Sequence, residues 1–292
     1  MSEIGRFIVP IITGAANGML IYLAAAGMSL ILSGMGTINF SQGAFYLLGS
    51  LICYSVTQVL PFGVGLVVAI AVTFLLGFLV ELALRPTINK PLMHSVVVTL
   101  ALTYIVGNLM ETIWGSMVKI NKIPEALSAT LTIGGVVLPA YYLFIIVIAA
   151  LIALAFWIMF YKTRIGMNFR AIISDRAMTE SLGVNVNLMY SLMFMFGIAL
   201  AGIAGALNSP LSGIEATGSM TLFAQVMPVL IIGGLSNLKG ALPAALLLGV
   251  VQALAALFIP QYYNLVPSVL MVLIMFIKPE GLFTKKGTAK TL

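Results

Sequence analysis

The stretch "GMGTINFSQGAFYLLG" (Gly34–Gly49) decides how this chain is read. It lies inside a run from Phe7 to Val80 that carries no charged side chain. Gly34, Gly36, Thr37, Asn39, Ser41, Gln42 and Gly43 therefore sit where hydrocarbon is expected. In lipid, a helix breaks only where protein or a water-lined cavity supplies partners for the freed backbone groups. Glycine permits the unusual torsions of such a break. Asn, Ser and Gln side chains satisfy loose backbone groups or touch a passing solute. Two readings stand open: a turn between spans at the membrane surface, or a broken, re-entrant helix near 34–43 that lines a path. A second Gly-rich interruption, "GGLSNLKGALPAALLLG" (Gly233–Gly249), places another break near 233–240. Interrupted apolar segments in the two halves of a membrane protein point to a central site.

Composition agrees with a lipid solvent. The chain has 292 residues, 61% hydrophobic and only 8% charged. Soluble domains average about 45–50% apolar and about 25% charged residues. The expectation is an all-α polytopic membrane protein forming one domain over residues 1–292. The single cysteine, Cys53, has no partner for an internal disulfide and reads as a small packing residue. The amino terminus "MSEIGRFIVP" does not read as a cleavable signal, because Glu3 offsets Arg6 and the apolar run continues far beyond a signal core.

The net charge of +6 is concentrated at loops: Arg85 and Lys90, then Lys162, Arg164, Arg170 and Arg176, then Lys278, Lys285, Lys286 and Lys290. Short basic loops stay cytoplasmic, which puts the carboxyl terminus inside. Charges spread over loop ends do not make a nucleic-acid face. Spans of about 20 residues are expected near 8–32, 44–60, 62–84, 94–114, 139–161, 187–208, 222–238, 241–259 and 262–278. Nine spans place the amino terminus outside; eight, with one segment re-entrant, place it inside. The piece at about 115–138 is an outer loop, and its "LTIGGVVLP" suits a small turn of extended chain. The basic loop at about 162–186 contains "MNFRAIISDRAMTESL", a helix of about 16 residues ended by Gly183 as a C-cap. Phe169, Ile172, Ile173 and Leu182 form its apolar stripe, with Arg170, Asp175, Arg176 and Glu180 largely off it. Gly197, Ala201 and Gly205, like Gly14 and Gly18, are four apart and allow close helix approach, within the chain or across a dimer face.

Ionisable residues within spans are few. Glu81 is expected to pair with Arg85 four residues on, and Glu111 lies near Trp114 at a membrane boundary. One His, one Cys and no inward acid pair offer neither a nucleophile with its base nor a metal-ligand set. No Gly-x4-Gly-Lys-Ser/Thr phosphate loop is present, so an ATP-driven process needs its nucleotide site on another chain.

Several segments in order also resemble the permease subunits of ABC importers for branched-chain amino acids. They are "GMSLILSGMGTINFSQGAFYLLG", Arg85-Pro86, "TRIGMNFRAIISDRAMTESLGV", "FGIALAGIAGAL", "GGLSNLKGA" and "KPEGLF". Gln42 stands where that family usually has His, and Ala101 where Gly is common. The resemblance implies a bacterial inner-membrane permease with no cofactor of its own. Its implied partners are a second, identical or related permease subunit, two ATPase subunits that bind ATP and Mg, and a periplasmic solute-binding protein. The two breaks are then expected to line the path, with Asn39, Ser41, Gln42, Gly43, Gly233, Gly234, Ser236 and Asn237. The resemblance makes Arg170, Asp175, Arg176, Glu180 and Gly183 part of a helix coupled to the ATPase, whose apolar stripe supplies affinity. An ion-coupled secondary carrier of a small neutral solute is the alternative.

Overall fold

The computed structural model describes residues 3–87, 90–133, 136–215, 218–235 and 237–283. In chain order the helices are α1 (Glu3–Met35), α2 (Gln42–Thr57), α3 (Phe62–Leu84) and α4 (Leu92–Trp114). A hairpin follows, of β1 (Thr130–Ile133) and β2 (Val136–Pro139), paired antiparallel with Thr130 opposite Pro139. Then come α5 (Ala140–Lys162), α6 (Arg164–Ser174), α7 (Arg176–Ser181), α8 (Val186–Asn208), α9 (Ser219–Gly233), α10 (Leu238–Phe258) and α11 (Val266–Ile277). Among the described residues six helices are long and apolar enough to cross a membrane, namely most of α1 together with α3, α4, α5, α8 and α10; α9 and α11 are shorter apolar helices. The helical membrane fold is as expected, and so is extended chain in the loop after α4, seen as the strands β1 and β2. Pro61, Pro91 and Pro139 stand immediately before α3, α4 and α5 in extended conformations, because proline has no N–H to lose at a helix start.

Helix α8 is the hub. Its membrane-length window is 78% buried, against at most 44% for any other span, so it packs on protein all round while the others face lipid on one side. Its small residues each admit a different neighbour. A Cβ on Gly197 would meet Gly27 and Ile31 of α1, one on Gly202 would meet Thr73 of α3, and one on Gly205 would meet the Tyr46 carbonyl of α2. Gly14 and Gly18 of α1 likewise lie against Gly249, Val250 and Ala245 of α10. These stripes are therefore spent on packing within the chain.

The loops sort into two ends. Lys162, Arg164, Arg85 and Lys278 lie where helices α5, α3 and α11 finish or α6 begins. Lys239, at the start of α10, sets its ammonium 5.1 Å from the ring of Tyr161 in the last turn of α5. At the opposite end Lys119 and Ile214 form a backbone bridge. Nearby, Asn121 accepts from Thr57 Oγ1 (2.8 Å) and donates to Ser209 Oγ (3.1 Å). Phe7 of α1 lies 6.1 Å from Phe258, the last residue of α10, so α1 starts at the end remote from the basic loops.

Glu81 is fully buried and accepts from Arg85 Nε at 2.8 Å, as its spacing suggested. Ser191 Oγ of α8 donates to Glu81 Oε2 (2.8 Å), and Arg85 NH2 reaches Ser191 Oγ (3.1 Å). The pair is thus a tie from α3 to the hub helix. Removing one member of a buried pair is costly when the charge left behind has no water. Here Arg85 is partly exposed and Glu81 is not. Thermal unfolding in detergent is therefore expected to show R85M less stable than E81Q, with both below wild type; equal stabilities for the three proteins contradict the tie.

Candidate functional site

The break after α1 is folded back into the bundle. Met35 ends α1, Gly36 turns with a φ of +65°, and residues 37–41 are non-helical. Thr37, Asn39, Ser41 and Gln42 are all buried. Asn39 Oδ1 accepts from the backbone N–H and the Oγ of Ser41, at 3.1 and 2.6 Å. Asn39 Nδ2 donates to Gln42 Oε1 (3.4 Å), and Gln42 Nε2 donates to the carbonyls of Ala24 and Gly197, both at 3.0 Å. Ala24 precedes the end of α1 by three turns, and Gly197 is at the centre of α8. The chain has returned halfway up the bundle before α2 starts, so the stretch is a re-entrant break and not a turn at the helix ends.

Helix α9 begins at the same place. A Cβ on Gly43 would strike the Ser219 carbonyl oxygen, and the rings of Phe40 and Phe223 stack with centroids 4.2 Å apart. Two short helices, 16 and 15 residues long, thus start against each other inside the bundle. Their N–H-bearing ends favour anionic groups. A cavity of about 20 Å³, room for about one water, lies between Gln42, Gly43 and Tyr46 on one side and Leu222, Gln225 and Val226 on the other.

The second break is elsewhere. Gly234 has a φ of +97°, and Asn237 Nδ2 donates to the carbonyls of Gly233 (3.2 Å) and Phe283 (3.0 Å). Gly281 comes so close that its Cβ would meet Gly234. Ser236 lies outside the described residues. Gly233 is 14 residues from Ser219 along α9, about 21 Å at 1.5 Å per residue. The structure therefore gathers Asn39, Ser41, Gln42 and Gly43 at mid-bundle and Gly233, Gly234 and Asn237 at the basic end, and does not bring the two groups together.

A larger cleft of about 270 Å³ opens between α4 and the start of α9, lined by Leu100, Thr103, Tyr104, Gly107, Asn108, Glu111, Ser219 and Met220. None of its lining residues lies in the two glycine-rich breaks. Its signal was present: positions 100, 103, 104, 107, 108 and 111 lie on one helical face, and the polar ones among them form a stripe.

In the basic loop the expected single helix is two. Asp175 adopts an extended conformation (φ −152°, ψ 107°), and its carboxylate accepts from Met178 N–H at 3.0 Å, capping α7. Asp prefers that cap to a mid-helix position because its short side chain competes for backbone N–H groups. Gly183, φ +84°, ends α7, with Val184 N–H reaching the Thr179 carbonyl and Gly183 N–H that of Glu180, the bonding of a Schellman motif. The apolar stripe is split by the break at Asp175: Phe169 and Ile172 are buried in the core and Ile173 is half-buried, whereas Leu182, on the separate α7 end, is exposed. Burying Phe169 and Ile172 against the chain's own helices leaves Met167, Met178 and Leu182 as exposed apolar side chains, at 55, 58 and 72%. Arg170 also turns inward, donating to the Phe160 carbonyl and lying 5.6 Å from the Tyr161 ring. Arg176 lies over the ring of Tyr190 at 5.5 Å, and Glu180 is exposed.

A re-entrant break, paired helix starts and a mostly apolar cleft with a few polar groups thus lie together in an apolar bundle. The family model described as branched-chain amino acid transport system / permease component matches residues 11–275. The chain belongs to this family. Among the relatives of this permease component, BraD of the high-affinity branched-chain amino acid transport system of Pseudomonas aeruginosa is 27% identical, covering 99% of this chain and all of that protein. The corresponding LivH permease protein of Escherichia coli K12 is 23% identical over 97% of each chain. The ribose import permease protein RbsC of the same organism is 25% identical, covering 86% of this chain and 79% of its own. The solved structure titled PsaBC from Streptococcus pneumoniae in complex with Fab matches with a TM-score of 0.52 at 13% identity, over 92% of this chain and 91% of that one. At that identity the likeness concerns the fold alone.

Proposed function

We propose that this permease component forms the membrane path of an ATP-driven, binding-protein-dependent importer for branched-chain and other hydrophobic amino acids. Family membership over residues 11–275 carries the reading. The scarcity of charge along the path suits a net-neutral solute. The basic end faces the cytoplasm, by the bias of Lys and Arg in short loops. It presents α6 and α7 to two ATPase subunits, which hold ATP and Mg; this chain contributes no nucleotide site and no cofactor. The opposite end receives solute from a periplasmic binding protein. A second permease subunit completes the path, and Asn39, Ser41, Gln42 and Gly43 belong to its walls or their support, with Gly233, Gly234, Ser236 and Asn237 at its inner mouth. Closure of the ATPases shifts the α6–α7 unit and, through α5 and α8, the break.

The exposed side chains of α7 and its cap specify the contact. Apolar anchors on an exposed ridge carry most of the energy of such interfaces. Arg170 is engaged within its own chain, so reversing it tests folding as well as docking. Met178→Asp together with Leu182→Asp removes two exposed anchors and leaves the buried Phe169 and Ile172 in place. ATPase co-purification and ATP-dependent uptake in proteoliposomes are expected to fall at least tenfold, with membrane insertion and melting temperature unchanged. Full co-purification of the double variant removes α7 from the contact. Uptake driven by an ion gradient without ATPase subunits favours the secondary-carrier alternative.

A further inference from the structure

The cleft between α4 and α9 combines two polar features of opposite sign. At its floor is the start of α9, whose first N–H groups have no intrahelical partner. The residue before them, Gly218, offers no side chain to satisfy them. Ser219, which lines the cleft, is 5% exposed, and its Oγ has no hydrogen-bond partner. A buried hydroxyl without a partner is uncommon and needs a reason. At the mouth is Glu111, in the last turn of α4. Among the described residues its carboxylate makes no ion pair or hydrogen bond, and the Asn108 carboxamide one turn below makes none either. Glu111 is half-exposed there, so its carboxylate is open to a ligand in the cleft. Long helical side chains lean toward the N-terminus of their own helix, which directs Glu111 down into the cleft. Leu100, Tyr104 and Met220 make the walls largely apolar.

We infer that this cleft is a binding site for the zwitterionic head of an amino acid. The inference rests on the amino-acid reading above and names the groups that recognise the solute. The α-carboxylate takes the free N–H groups and hydroxyl at the start of α9, the α-ammonium takes Glu111 with the Asn108 carbonyl oxygen, and the aliphatic side chain lies along Leu100, Tyr104 and Met220. A solute with one charge at each pole fits the pairing, whereas a neutral polyol leaves Glu111 and the helix start unmatched. The volume of about 270 Å³ is just under the roughly 300 Å³ at which pockets for drug-sized molecules begin, a suitable size for one free amino acid.

The test uses the complete importer purified without its binding protein, so that only the membrane path selects. Leucine serves as the probe, with 4-methylpentanoate, which lacks the ammonium, as its partner. Wild type is expected to bind leucine at least tenfold more tightly than 4-methylpentanoate by calorimetry. Glu111→Gln, isosteric and uncharged, is expected to abolish that preference by weakening leucine at least tenfold while leaving 4-methylpentanoate within twofold. Ser219→Ala is expected to weaken both probes by about the same factor, threefold or more, because both carry the carboxylate. Retention of the leucine preference in E111Q overturns the assignment, as does a wild type that binds neither probe. Failure of the importer reading is separately visible. With the binding protein restored, wild type that takes up no amino acid on ATP refutes the proposed function, whereas normal uptake by E111Q and S219A refutes only the cleft.

Discussion

Gly205→Val will deplete folded protein from the membrane by at least tenfold, measured as the monodisperse fraction on size-exclusion chromatography in detergent. The reason lies in what Gly205 touches. An added Cβ meets the carbonyl oxygen of Tyr46, its carbonyl carbon at 2.7 Å and Ser50 Oγ at 2.8 Å. Two of those three atoms are backbone, so rotamer change offers no escape and α2 must move away from α8. One turn along, Gly49 of α2 is pressed in the same way against Gly202. Overpacking typically costs about 1–3 kcal/mol when side chains can shift. A helix-wide separation forfeits the dispersion contacts of the whole crossing, which in lipid are the main attraction between helices. Gly63→Ala is the matched control, since nothing lies within 4 Å of its added carbon and its torsion is ordinary; it should match wild type. A G205V protein with wild-type yield and melting temperature would show that the α2–α8 crossing is looser than the structure has it.

That contact also shows why the fold was legible and where legibility ended. Apolar runs longer than a bilayer have one outcome in lipid, so the long helices were visible from composition alone. Small residues four apart at Gly197, Ala201 and Gly205 announced a close crossing, but not with which helix, since the pattern is the same for a partner within the chain or across a dimer. The break at Asn39–Gln42 was visible as polar residues in hydrocarbon. Its depth was not, because that depends on Gln42 finding Gly197, 155 positions away. The loop stripe at Phe169 and Ile172 misled for a related reason: amphipathicity states that one face will be covered and leaves open by what. Asp175 lies off that stripe and is a residue type that caps helices, which is the role it has in the fold. Glu111 stands in the last turn of α4 beside Trp114, and its spacing from Thr103, Gly107 and Asn108 puts all four on one side of that helix.

Gln42→Glu is expected to abolish uptake and to lower the folded yield further than Gln42→Leu does. In the native chain one amide joins three elements: Nε2 donates to Ala24 of α1 and Gly197 of α8, while Oε1 accepts from Asn39 in the break. Gln42 itself is 1% exposed. Leucine removes the donors and keeps most of the volume. The two carbonyls lie within helices α1 and α8, so their intrahelical bonds remain, and the loss is about 1 kcal/mol for each side-chain bond. Asn39 Nδ2 is left buried without an acceptor, a further penalty of about 1–3 kcal/mol. In a glutamate one oxygen keeps the Asn39 bond, but the other takes the place of Nε2 and, with no proton to offer as a carboxylate, faces two carbonyl oxygens at hydrogen-bond distance, out of reach of water. A buried unpaired charge costs more than a missing hydrogen bond, so the glutamate variant must be the worse of the two. Because Gly27 packs against both Gly197 and Gln42 Nε2, α1 has no room to retreat from the repulsion, and the break must swing out of the bundle, carrying the start of α2 and its contact with Ser219. Uptake and melting temperature measured on both variants decide the matter: Q42E at or above Q42L in stability would mean that the amide is not the joint between α1, α8 and the break.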